Sequence, residues 1–387
     1  MRSLVMRVAW NLLWLRPGVV GGSEEYATRQ LLALAQHASA DVEVTAFVLQ
    51  PFINAYPELA ESVRCVPMRL DGRNKPRRVV AESTWLAART RKGFDVVHHV
   101  GGRVPSIAPA PRVLTIHDLQ PLEEPENFSA VKRHFLARSL PRSAARARIV
   151  ITPSEHVRAR VIERFGLDPA GVRAIAAPVT IPEVALAQEA AAPSVLDDAL
   201  RALLDRDAPF FLYPAITYLH KNHLVVLEAF ALVRRAHPQV RLVLTQGAGG
   251  AEQAVAARIA QPDLAGSVLR PGRVERAVLD LLLTRATALV FPSRFEGFGL
   301  PVIEALAAKC PVISSSATAL SEVVGDAGVL VDPDDIDAWA AAMSAALSDP
   351  AYRTARAERG LAVARRYAPD ATAAALTSVY REIAAGW

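Results

Sequence analysis

Glu296 and Glu304 lie on either side of Gly297-Phe298-Gly299-Leu300-Pro301, in the stretch FPSRFEGFGLPVIEALAAKCPVI (291–313). Glycines 297 and 299 permit close backbone approach and conformations closed to other residues. Pro301 suits a first helical turn, where an amide donor is not needed. Amides at such a helix start suit a diphosphate. Two carboxylates do not bind phosphate themselves, but they accept hydrogen bonds from neutral hydroxyls such as those of a sugar and a ribose. One loop would then hold both ends of a nucleotide sugar. A lone glutamate in this setting reads as a solvated turn or helix residue; the Gly/Pro arrangement around the pair decides for a site.

Such a loop has to be carried by a strand and a helix. Residues 286–293 (ATALVFPS) read as the strand, and PVIEALAAK after the loop as the helix. Short apolar strands are predicted over 6–15, 42–49, 95–100, 112–118 and from 149, and again over 210–216, 241–247, 311–315 and 328–333. Helical patterns alternate with them. Ser154 and Gly166 mark the start and stop of one helix, and Pro141 predicts a kink or break in another. From about 335 the chain reads as helical, apart from breaks at Pro350 and Pro369. Alternating strands and helices imply mostly parallel sheets. The fold class is therefore α/β, with two doubly wound Rossmann-like domains. The expected bounds are 1–180, a proline-bounded and alanine-rich linker over 181–208, and a second domain over 209–367. In open sheets of this kind, ligands sit beyond the carboxyl ends of the strands.

The chain's 387 residues, 51% of them hydrophobic, suit two cores rather than one. The net charge of +5 is uneven: residues 1–180 hold 25 Lys/Arg against 16 Asp/Glu, and 181–387 hold 19 against 23. A basic first half suggests an anionic partner: a membrane surface, a nucleic acid or a phosphorylated substrate. Nucleic acid is disfavoured, because interleaved aromatics and a recognisable module are missing. Arg138, Arg142 and Arg146, spaced by four, can line one helix face toward anionic lipid if Pro141 does not break the helix. Two cysteines far apart, Cys65 and Cys310, give neither a disulfide framework nor a metal spacing. The opening MRSLVMRVAWNLLWLRPG lacks a small-residue cleavage site and reads as a first buried strand. No apolar run reaches the ~18–20 residues of a membrane span. A cytoplasmic protein is expected, one that can sit at the inner face of the membrane.

The stretch EGFGLPVIE, complete from Glu296 to Glu304, resembles the signature of the GT-B glycosyltransferases of the large retaining family 4. The resemblance runs along nearly the whole chain. GVVGGSEEY (18–26) is similar to the family's N-terminal glycine loop, and TIHDLQPLEEPENF (115–128) to a mannosyltransferase-like subgroup. VITPSEHVRARVIERFG (150–166), YPAITYLHKNHLVVLEAFALV (213–233) and SEVVGDAGVLVDPDD (321–335) fit the family as well.

The resemblance implies two domains facing across a cleft, with a C-terminal helix (368–387) that crosses back to the first. It implies retaining sugar transfer by same-face attack, with the leaving phosphate helping to deprotonate the acceptor. Charge on that phosphate must be stabilised. Asp332–Asp335 reads as a turn and helix cap rather than as a metal-binding Asp-x-Asp cluster, so a fixed cation is expected instead and no metal. Lys221 is that cation, and His117 is the donor-sugar contact. Glu296 orients sugar hydroxyls, and Glu304 accepts from the ribose. Gly21, Gly22, Gly297, Phe298, Gly299 and Leu300 line the donor. Many relatives carry a Gly-Arg where this chain has Pro214-Ala215. Either His220 or an arginine elsewhere replaces that arginine, or Lys221 works with backbone amides alone; Arg273 is a further nucleotide-side candidate. Glu24 and Glu25 are either acceptor contacts or first-turn charges. The expected donor is GDP-mannose, with a UDP-sugar as the alternative, and the acceptor a saccharide or lipid-linked saccharide. The competing readings are a nucleotide-sugar epimerase and a non-catalytic nucleotide-sugar-binding protein, the latter favoured only by the missing Gly-Arg.

Overall fold

A computed structural model describes residues 5–109, 111–125, 128–181 and 197–386. Most of the expected linker, residues 182–196, lies outside the described residues. Its last part forms a helix, Asp198–Asp205, capped by the Asp197 side chain. The chain divides into two compact units: Met1–Pro178 with Tyr367–Trp387, and Val179–Arg366.

The first unit is built on a seven-stranded parallel sheet. Its strands are β1 (Met6–Asn11), β2 (Val42–Leu49), β3 (Arg64–Met68), β4 (Val96–His99), β5 (Arg112–Thr115), β6 (Ile149–Thr152) and β7 (Val172–Ala174), in the order β3-β2-β1-β4-β5-β6-β7. Strand β1 pairs with β2 on one side, from Met6↔Val42, and with β4 on the other, from Val8↔Val96. Val8, Ala9 and Trp10 are wholly buried, as a central strand with both faces covered requires. The strand order reverses between β1 and β4, so the loops leaving these two strands flank the switch point.

The second unit repeats the plan with six parallel strands: β8 (Phe210–Pro214), β9 (Arg241–Thr245), β10 (Val268–Gly272), β11 (Ala288–Phe291), β12 (Val312–Ser315) and β13 (Val329–Val331). Their order is β10-β9-β8-β11-β12-β13, which puts this switch point between β8 and β11.

Three strands are additional to those predicted. β3, β7 and β10 all lie at sheet edges. β3 and β10 carry Pro67 and Pro271, which an edge tolerates because it lacks one ladder of hydrogen bonds. Ser154 caps helix Glu155–Phe165 by accepting from the Val157 amide, and Gly166 ends it at φ 62°. Helix Ala130–Arg146 continues through Pro141.

The last helix, Pro369–Ala385, packs on helix Gly22–His37 of the first unit. Its Ala373, Leu376, Val379, Tyr380 and Ile383 join the same core as Val8 and Trp10. The Tyr380 hydroxyl accepts from Trp10 Nε1 at 3.0 Å and meets His98 Nδ1 at 2.8 Å. His98 Nε2 lies 2.8 Å from Thr115 Oγ1. Burial holds His98 well below its usual pKa, so the ring is neutral: Nδ1 accepts from Tyr380 and Nε2 donates to Thr115.

Candidate functional site

The loops leaving β8 and β11 bring two sequence-predicted residues together at the switch point of the second unit. Lys221 closes a short helical turn, Leu219–Lys221, and its Nζ forms an ion pair with the Glu296 carboxylate. Both side chains are mostly buried, at 18% and 14% exposure. The lysine Nζ also stands 5.2 Å from the Phe291 ring centroid. The turn is fixed from below: the Tyr213 hydroxyl donates to the Lys221 carbonyl. It is also fixed from the side. Asn222, at φ 57°, donates Nδ2 to the Pro333 carbonyl at 2.6 Å, and the Arg294 amide donates to the His220 carbonyl at 2.7 Å. The Glu296 amide in turn donates to Thr318 Oγ1 at 3.0 Å.

Gly297 and Leu300 are half-buried, and Phe298 and Gly299 are buried. Gly299 has φ 98°, and an added Cβ would come 2.6 Å from Leu320 Cδ2, so only glycine fits this turn. Helix Leu300–Ala307 then starts, with Pro301 in its first turn. Glu304 is buried and ion-paired with Arg276, which also holds Asp280 at 2.8 Å. Burial lowers the Arg276 pKa, but the two carboxylates outweigh it and raise the pKa above its usual range.

The partner of Glu304 is thus Arg276, a residue the sequence reading did not single out. Arg273 is exposed and has no ion pair among the described residues. The residue missed was legible only as an Arg276/Asp280 spacing of four at a helix start. His220 carries no positive charge of its own near pH 7 in the ligand-free site, because burial, and then the Lys221 charge, push its pKa down to about 4. Its ring stacks on Tyr218 with centroids 5.7 Å apart. Asp332–Asp335 serves as turn, ion pair and cap. Asp332 accepts from the Asp334 amide, Asp334 pairs with Arg294 at 2.5 Å, and Asp335 caps helix Ile336–Ser348. Among the described residues, no group of three or more His, Cys, Asp or Glu could hold a metal ion.

In the first unit, His117 follows β5. Its Nε2 lies 2.7 Å from the Val100 carbonyl, and its ring meets Tyr26 edge-on at 5.0 Å and Trp14 at 5.7 Å. Burial lowers its pKa to about 4. A neutral ring that donates from Nε2 leaves Nδ1 as an acceptor. Gly21, at φ 77°, begins helix Gly22–His37; Gly21 and Gly22 are both exposed, with open space where a Cβ would stand. Glu24 turns inward and braces this loop: it accepts from the Gly18 amide at 2.7 Å, the Val20 amide at 3.3 Å and the Tyr56 hydroxyl. Glu25 pairs with Arg29 across one helical turn.

The family profile Glycosyl transferases group 1 matches residues 200–362, and Glycosyltransferase Family 4 matches residues 20–181. The chain belongs to glycosyltransferase family 4. Among curated relatives, the family 4 chain is 28% identical to the O-antigen chain mannosyltransferase B of Escherichia coli, over 66% of this chain and 66% of that one, just under two thirds of the relative's length. It is 24% identical to the O-antigen chain mannosyltransferase RfbU of Salmonella typhimurium, over 83% and 86%. The crystal structure of Anabaena HepE in complex with UDP and glucose shares the fold, with TM-score 0.73 and 18% identity over 97% of this chain and 100% of that one. The two parallel-sheet units are those of the GT-B fold. Among the described residues, no helix is long and apolar enough to cross a membrane.

Proposed function

We propose that this glycosyltransferase transfers a hexose, with retention of configuration, from GDP-mannose to a saccharide or lipid-linked saccharide. The observation that carries the reading is the Lys221–Glu296 ion pair at the β8/β11 switch point, eight residues before the Arg276-bound Glu304. The O-antigen mannosyltransferases among its relatives support mannose as the sugar.

In this reading a bound donor redistributes the ion pair. The diphosphate takes Lys221 Nζ, and the sugar hydroxyls donate to Glu296. A cation aimed at charge that grows on the leaving phosphate lowers the barrier more than the ground state. Lys221 is a fixed cation, so the site works without a divalent metal. Glu304, with Arg276 beside it, accepts from the ribose hydroxyls. The Gly297–Leu300 turn gives the donor close backbone approach; in the first unit, Gly21 and Gly22 leave open space for a ligand. His117 offers Nδ1 to a sugar hydroxyl, and His220 contributes a neutral ring. Glu296 orients the sugar rather than attacking it, and the leaving phosphate takes the acceptor's proton.

The basic first unit suits work at the inner face of the membrane. One face of helix Ala130–Arg146 presents Val131 and Phe135, 82% and 47% exposed, in line with exposed Arg138 and Arg142. Arg146 is not part of that surface, since it donates to the Pro105 and Ser106 carbonyls at 2.7 and 3.0 Å.

A donor panel tests the reading. GDP-mannose, UDP-glucose and UDP-N-acetylglucosamine are incubated with saccharides and with lipid-linked saccharides in vesicles, with and without EDTA, and product anomers are read by NMR. An α-mannosyl product from GDP-mannose that survives EDTA is expected. A product from UDP-sugars alone, an inverted anomer, or dependence on added Mg²⁺ or Mn²⁺ would overturn the corresponding part.

A further inference from the structure

The switch point of the first unit carries a group of cations that the donor chemistry does not use. The loop after β1 brings Trp14 and Arg16, and the loop after β4 brings Gly101 and Arg103. These loops are pressed together: a Cβ on Gly101 would overlap the Trp14 ring. A third guanidinium enters from helix Lys75–Ala81, where Arg78 donates Nη1 to the Trp14 carbonyl at 2.6 Å. The stem of Arg16 packs where Gly72 leaves room, since a Cβ there would come 2.9 Å from Arg16 Cγ.

Against these three guanidiniums stands one carboxylate. Glu82, which opens a π-helical turn over Glu82–Leu86, pairs with Arg103, and both side chains are largely buried. Among the described residues, Arg16 and Arg78 have no carboxylate partner. Two donors in the group are buried without any acceptor: Trp14 Nε1 and Arg78 Nε. Burial, and then the charge of Arg16, lower the pKa of Arg78; burial, and then the charge of Arg78, lower that of Arg103 to about 10. Arg16 thus disfavours the charge of Arg78, and Arg78 that of Arg103. Arginine forks match phosphate oxygens in pairs. The group's surplus of two positive charges equals the charge of a phosphomonoester, about −1.5 to −2 near pH 7.

We propose that Arg16, Arg78 and Arg103 bind a phosphate group of the acceptor, so that this enzyme glycosylates a phosphorylated substrate. The inference rests on the glycosyltransferase reading and names its acceptor class: a phosphosugar or a lipid-linked diphosphate saccharide. His117 is tied to the same place through Trp14, their ring centroids 5.7 Å apart, so the phosphate subsite adjoins the candidate donor-sugar contact.

The test uses the full chain saturated with GDP, so that the donor site is filled. Inorganic phosphate and pyrophosphate are then titrated by calorimetry. One saturable site is expected, weakened at least tenfold by Arg16→Gln and by Arg78→Gln, less by Arg78→Lys, with GDP affinity unchanged in all three. Arg16→Gln keeps the test open should Arg78→Gln unfold the unit, because Arg16 has no hydrogen bond to the Trp14 carbonyl. No saturable phosphate site beside bound GDP would overturn the proposal and leave the donor reading standing; failure to bind GDP would instead sink the donor reading. Transfer then distinguishes the sources. With a phosphosugar, or with a prenyl-diphosphate saccharide in vesicles, kcat/KM should exceed that of the unphosphorylated sugar at least tenfold, and Arg16→Gln should remove the advantage. Equal kcat/KM for phosphorylated and neutral acceptors, unmoved by Arg16→Gln, would overturn it.

Discussion

The two switch points lie at equivalent places in two similar sheets, yet their charges are arranged in opposite ways. Around β8 and β11, Lys221 has Glu296, Arg276 has Glu304 and Arg294 has Asp334. Beside β1 and β4, Arg78 donates to the Trp14 carbonyl, its charge is disfavoured by that of Arg16, and among the described residues only Arg103 of the three has an acid. A paired site suits a ligand that brings both phosphates and hydroxyls, because such a ligand satisfies both halves of the pair it opens. A cation-rich site suits a ligand that brings negative charge alone. On the proposed reading, the same fold would meet two parts of a transfer reaction through its loops, not its strands.

The comparison breaks most severely where the first unit depends on the end of the chain. Ending the chain at Arg366 removes Leu376, Val379, Tyr380 and Ile383 from the core around Val8 and Trp10. The first unit should fail to fold, with loss of soluble protein, while the second unit retains its content. A truncated chain with unchanged thermal unfolding and phosphate binding would contradict this.

The next largest effect is Glu82→Gln. It leaves Arg103 buried without its counter-charge, which should cost about 3 kcal/mol of stability. Urea unfolding measures it; a change below ~0.5 kcal/mol would show that the acid is not needed to hold the cations.

In the second unit, Lys221→Ala should lower transfer about 100-fold with the fold intact, if the proposed cation acts in the transition state. Near-normal turnover at saturating and subsaturating donor would remove Lys221 from the mechanism.

The smallest effect concerns protons. His99 is lowered to about 3, and His117, His220 and His223 to about 4, in each case chiefly by burial. Between pH 4 and the unfolded histidine value of about 6.5, the unfolded chain binds more protons than the folded one. Stability should therefore be flat from pH 8 to about 6.5 and fall as pH drops toward 4. The same values keep histidine charge out of both switch points, so phosphate affinity should not rise on going from pH 8 to 7 through His117. A rise abolished by His117→Gln would contradict the neutral ring.

Central strands were legible because both their faces are buried and their apolar runs are continuous. Residues 42–49 were read to the residue, and Ser154 and Gly166 marked both ends of a helix. Edge strands β3 and β10 were not legible, because their prolines and exposed residues break the apolar signal an edge does not require. Glu296 and Glu304 stood out because glycine and proline fix the backbone between them. Their partners did not stand out to the same degree. Lys221 was singled out through its motif, though not as the partner of Glu296, and Arg276 lies in a different βα unit from Glu304 and shares no local spacing with it. The Arg16–Arg78–Arg103 group was invisible for the same reason: three separate elements converge only once β1 and β4 are neighbours.

The most direct measurement compares how the two glutamates bind nucleotide. GDP and GDP-mannose are titrated by calorimetry into the unaltered chain, Glu296→Gln and Glu304→Gln. If one loop holds the sugar at one end and the ribose at the other, Glu304→Gln should weaken both ligands by about tenfold, the loss of a charged hydrogen bond. Glu296→Gln should leave GDP nearly unchanged and weaken GDP-mannose alone. Equal losses of GDP affinity in the two variants, or no loss of GDP-mannose affinity in Glu296→Gln, would contradict the account.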